Sequence, residues 1–99
     1  MKIRFHPGAR AELRTARAWY EERSPMSAAA LAQEIDQAIS QLANAPMRYP
    51  LAEYGTRRLV LPRFPFSIFY RVVTTEIVIV AVAHHKRRPG YWRQRSETG

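Results

Sequence analysis

The chain has no cysteine, few acids and no long hydrophobic run, and each absence narrows the field. Without cysteine there are no disulfides and no thiolate metal sites. Its longest apolar run, Ile77 to Ala83, is far too short to cross a bilayer and reads as one buried strand. No apolar targeting segment follows Met1-Lys2-Ile3-Arg4, so a cytoplasmic protein without a membrane partner is expected. Eight acids face sixteen Lys and Arg, a net charge of +8. What is present is one domain's worth of chain: 99 residues, 46% hydrophobic, with room for a single core.

The charge is unevenly spread. Residues 1–50 hold seven cations and five acids, whereas residues 51–99 hold nine cations against Glu53, Glu76 and Glu97. Five of those cations lie between Lys86 and Arg95 with no acid among them. Such a cluster attracts nucleic acid or an acidic partner.

Periodicity divides the chain into elements. Lys2 to His6 alternates as a half-buried strand, and Pro7-Gly8 breaks it. Ala9, Leu13, Ala16 and Tyr20 then share a helical face, with Trp19 beside them packing toward a sheet. Ser24-Pro25 ends this helix and starts the next, serine as N-cap and proline in the first turn. Ala28, Leu31, Ile35, Ala38 and Leu42 form the second stripe, which Asn44-Ala45-Pro46 stops. Three strands follow, at Arg57–Leu61, Phe66–Val73 and Ile77–His84. The order β-α-α-β-β-β predicts an α+β domain over residues 1–95, a helical hairpin on a largely antiparallel sheet, with 96–99 a frayed end.

A loop centred on Thr74-Thr75 would pair Arg71 with Val78 and Ser67 with Val82. Ser67, Phe69, Arg71, Val80, Val82 and His84 would then share one face of the sheet. Threonine disfavours the positive φ of a two-residue hairpin turn, so a longer loop that shifts this register is also expected.

Metal-free cleavage of RNA needs a base, cations for the phosphorane and an acid for the leaving oxygen. His84 and His85 are the candidates for proton transfer, and Tyr91 is a candidate to stack on a base. Arg57, Arg58, Arg71, Lys86, Arg87, Arg88 and Arg93 are candidates for holding a target, with Trp92 to stack on a base. Two features oppose catalysis: adjacent strand residues point to opposite faces, and Arg71 lies roughly 20 Å from His84 along the strand. Tyr91-Trp92 reads equally as a plug docked back on the sheet. His84-His85 has no neighbouring acid, so no metal and no cofactor is expected.

The stretch from Arg63 to Val72, the strand Ile77–His85 and the basic aromatic tail to Arg93 resemble the end of a RelE/ParE superfamily toxin, and the likeness runs from Ile3 to about Arg95. The resemblance implies a growth-arresting toxin of a type II toxin-antitoxin operon, of the kind linked to plasmid stabilisation, neutralised by an antitoxin that wraps it. RelE-like members cleave mRNA in the ribosomal A site, and ParE-like members poison DNA gyrase without nuclease activity. Matched strand to strand, Arg58 occupies one basic position of the nuclease set. Lys86 or Arg87 occupies another, and Tyr91 stands for its tyrosine. Val60 and Ser67 stand where further charge belongs, which favours the gyrase reading over the endoribonuclease. A generic nucleic-acid-binding module is the third reading. The antitoxin partner is expected to be acidic.

Overall fold

The computed structural model describes the backbone of residues 1–98 and the side chains of residues 1–95. Strand β1 (Lys2–Phe5) leads into helices α1 (Pro7–Arg23) and α2 (Pro25–Asn44). After a short 3-10 turn at Glu53–Gly55 come β2 (Arg57–Val60), β3 (Phe66–Val73), β4 (Glu76–His84) and helix α3 (Arg93–Thr98). The four strands form one sheet in the order β1-β4-β3-β2. β1 runs parallel to β4, and the other two pairings are antiparallel.

Local chemistry explains the helix ends. β1 ends at Phe5, before Pro7-Gly8 as expected, and these two residues form the first turn of α1, because proline needs no N–H donor there. His6 is the N-cap, its Nδ1 accepting the Gly8 N–H at 2.9 Å. Ser24 serves both helices, since its N–H donates to the Tyr20 carbonyl and its Oγ accepts the Ser27 N–H. A one-residue joint of this kind forces the two helices into a tight hairpin.

The hairpin buries Leu31, Ile35, Ala38 and Leu42 against Ile68, Tyr70, Ile77 and Ile79 on one face of the sheet. Each large aliphatic side chain removed from water here contributes about 1.5–3 kcal/mol. The Tyr70 hydroxyl satisfies itself on the Pro46 carbonyl at 2.6 Å. Burial pushes this phenol above its ordinary pKa. Buried Glu34 accepts from both the backbone N–H and the Nε of Arg63, at 2.9 and 3.0 Å, tying α2 to the β2–β3 connection. Trp19, expected to pack on the sheet, is 51% exposed, and the Arg23 guanidinium lies 3.8 Å from its ring.

Two expectations about the β3–β4 hairpin are corrected. Its loop is the two-residue Thr74-Thr75, with Thr74 taking a positive φ of 28°. Arg71 therefore pairs with Val78 as expected, but a bulge between Phe69 and Tyr70 admits Val80 as an extra residue on β4. Beyond it Ser67 faces Ala83 and not Val82. One added residue exchanges the two faces, so Val82 joins the helix-side core while Ala81 and Ala83 join the opposite side.

That opposite side is covered by the tail. Trp92 is 1% exposed and packs with Phe69, Val78, Val80, Ala81 and Ala83. The frayed end expected at 96–99 falls outside the described residues in its side chains and at Gly99, and the α3 backbone reaches Thr98.

Candidate functional site

Beyond Phe5, β1 no longer covers the edge of β4, and polar groups from elsewhere take its place. Glu12, on the inward stripe of α1 between Ala9 and Ala16, accepts the Val82 N–H at 2.9 Å. The same carboxylate accepts from the Tyr91 hydroxyl at 2.5 Å and from Arg95 at 3.0 Å. Desolvation, followed by the Glu12 hydrogen bond, drives the Tyr91 phenol well above its ordinary pKa. A tyrosine held neutral and donating to a carboxylate is a fastener for the tail and a poor base. Arg95 passes over Gly8, where a Cβ would run into its guanidinium.

On the outer face of the sheet lies a cleft of about 430 Å³, lined by Arg58, Ser67, His85, Arg87 and Arg88 among others. Ser67 is 1% exposed. Its Oγ accepts the Arg58 Nε–H at 2.9 Å and lies 3.0 Å from His85 Nε2. The chain closes when Nε2 carries no proton and the serine hydroxyl donates to it. A serine 3.0 Å from an imidazole has nucleophile-base spacing, yet no substrate atom reaches a hydroxyl this deeply covered. Ser67 instead orients Arg58 and His85.

Strand alternation separates the two histidines, and the bulge decides which face each takes. His84 turns to the helix side, its ring 5.1 Å from Phe66, and its Nδ1 accepts the Lys86 N–H at 3.0 Å. Burial, then Lys86 and His85, holds its pKa below the usual histidine value. His85 turns to Ser67 on the other side. The sequence placed Ser67 with His84; the structure places it with His85.

The remaining candidates divide by position. Arg87 and Arg88 are exposed and line the cleft, the former lying 3.9 Å from the Tyr91 ring. Lys86 is exposed beside them, and Arg93 sits over Tyr54. Arg57 faces inward, donating to the Tyr49 and Met47 carbonyls and holding the loop before β2. Arg71 is part-buried far up the hairpin, its Nε without a hydrogen-bond partner among the described residues. Trp92, read equally as a target-stacking residue and as a plug, lies in the core. Sequence reasoning missed Glu12, although an acid between Ala9 and Ala16 on an apolar stripe is a signal that it has an internal partner.

A second, more apolar cavity of about 540 Å³ runs between α1 and the β4 edge, lined by Ala11, Thr15, Trp19, Tyr20, Phe66 and Val82 with His84 and Tyr91 at its rim.

A helical hairpin on one face of a four-stranded mixed sheet is the RelE/ParE-like architecture, and this chain carries a cationic cleft on the other face. Residues 3–89 match the ParE toxin of the type II toxin-antitoxin system parDE, and the chain belongs to that family. Its fold is similar to the solved structure of the chromosomal ParDE TA system from P. aeruginosa, with a TM-score of 0.74 and 27% identity. The likeness covers 85% of this chain and 95% of that one. Comparison with curated proteins gives no match. The chain is thus the toxin side of a type II toxin-antitoxin pair, and an antitoxin is its partner. Among the described residues no helix is long and apolar enough to cross a membrane.

Proposed function

We propose that this toxin arrests growth by poisoning DNA gyrase and that it does not cleave RNA. The observation carrying this reading is that Val60 and Ser67 are directly paired across β2 and β3. The two positions where a RelE-like nuclease would want charge are therefore one spot, occupied by an isopropyl group and a buried hydroxyl. Each missing cation removes a few kcal/mol of transition-state stabilisation from such a site. The Tyr91 hydroxyl, the other expected participant, is committed to Glu12.

Induction of the toxin alone is expected to stop growth, with filamentation and gyrase-dependent DNA breaks, while translated mRNA stays intact by primer extension. Codon-positioned cuts in mRNA would overturn the reading. The antitoxin is acidic and lays an amphipathic or extended segment over the helical hairpin and the basic sheet edge. The apolar groove along α1 supports this route, being flanked by half-exposed Trp19 and backed by Phe66 and Val82.

A further inference from the structure

We infer that the cleft formed by Arg58, His85, Arg87 and Arg88 is a clamp for the phosphodiester backbone of duplex DNA, so that the toxin engages gyrase with DNA already bound. This inference rests on the gyrase reading above and names the ligand class of the outer-face cleft.

Three observations carry it. The first is the charge: three arginines line one cleft of about 430 Å³, with Glu53 the acid among its lining residues. The Arg88 side chain makes no hydrogen bond or ion pair among the described residues, and the Arg87 side chain has a ring contact alone. Both remain available to an external anion. The second is that the cleft is built. Ser67, almost fully covered, fixes the Arg58 Nε and the His85 Nε2 from beneath, leaving the Arg58 terminal nitrogens to reach outward. An arginine held this way offers a pre-formed fork to a phosphate.

The third observation selects the polymer. Proteins that read single-stranded RNA offer open aromatic faces on which splayed bases stack. Among the described residues no phenylalanine, tyrosine or tryptophan face is open at this cleft, and its one exposed ring, the His85 imidazole, is tethered to Ser67 through Nε2. Trp92 is buried, the Tyr91 ring carries Arg87 at 3.9 Å, and Phe69 lies under Trp92 and Arg58. Cations without stacking platforms contact a backbone and leave bases paired, which is how a duplex is held.

The test is fluorescence anisotropy of the full-length toxin with a labelled DNA duplex and with a single-stranded RNA of equal length. About three phosphate contacts predict that duplex affinity falls roughly fortyfold between 50 and 200 mM salt. The double variant R87A/R88A is expected to show a fall of only about 3.5-fold, since about one contact remains. R14A/R17A removes equal charge from the exposed side of α1 and is expected to keep the full salt slope. Tighter binding of the RNA, undetectable duplex binding, or equal loss in both double variants would overturn the clamp. Gyrase-dependent cleavage by the same proteins separates the two readings. Breaks made by a toxin whose duplex affinity ignores Arg87 and Arg88 refute the clamp alone. Duplex binding that tracks those arginines without gyrase-dependent breaks refutes the gyrase reading alone.

Discussion

His6 occupies a capping position normally taken by serine, threonine or aspartate, and this gives α1 a titrating start. Burial first, then Arg95 and Arg4, lowers its pKa from 6.5, against an opposing pull from Glu12. Only the unprotonated ring can accept the Gly8 N–H. The stabilisation is therefore present above 6.5 and is lost as pH falls through the depressed folded value. His84, which also accepts a backbone N–H and is also depressed, acts in the same direction. Thermal melts from pH 7.5 to 5 are expected to show a decline, and His6→Asn, which caps without titrating, is expected to reduce it. The cap is worth about 1 kcal/mol, or roughly 4–8 °C for a domain of this size. An acid-side decline of equal size in the variant would show that the cap is not responsible.

The last strand and the tail behind it form one mechanical element. β4 is buried from Ile77 to Ala83 because the helix hairpin covers one face and the tail covers the other. Trp92 is central to that second cover, its ring 4.5 Å from that of Phe69 and tilted 36° to it. Trp92→Ala is expected to cost about 3–5 kcal/mol through lost contacts and a cavity, read as a drop in urea midpoint and at least about 12 °C in Tm. Trp19→Ala, at a half-exposed ring that contacts Arg23 and Tyr20 of its own helix, is expected to cost about 1 kcal/mol or less. Equal losses in the two variants would mean that the tail is not a plug. The hydroxyl of Tyr91 belongs to the same element, and Glu12 fastens it across 79 residues of sequence.

At the scale of the whole molecule the decisive quantity is the field of a +8 protein whose net charge lies mostly in the second half of the chain. An antitoxin that is acidic, as proposed, would be drawn in before contact, and salt would screen that attraction over roughly 10 Å at 0.1 M. Stopped-flow association of toxin and antitoxin is expected to slow about tenfold or more between 50 and 500 mM salt. Dissociation, which the proposed docking in the apolar groove along α1 would govern, is expected to change much less. An association rate indifferent to salt would remove steering from the mechanism.

Local pattern alone determined much of this protein. The apolar stripes set both helices, Ser24-Pro25 set the joint between them, and the pairing of Arg71 with Val78 followed from two threonines at a turn. These are interactions between near neighbours in sequence, and periodicity and capping report them directly. The partition of the site was decided elsewhere. One bulged residue at Val80 sends His84 to the helices and His85 to Ser67, because strand side chains alternate and a single insertion exchanges every face beyond it. Trp92 was equally suited to a target or a core until the tail folded back on β4. The buried acids lie between these cases. Glu12 follows Ala9 by three and precedes Ala16 by four, and Glu34 stands in the same way between Leu31 and Ala38. The stripe marks each as turned inward; only the tertiary fold brings Tyr91, Arg95 and Val82 to one and Arg63 to the other, because those partners lie between 29 and 83 residues away along the chain.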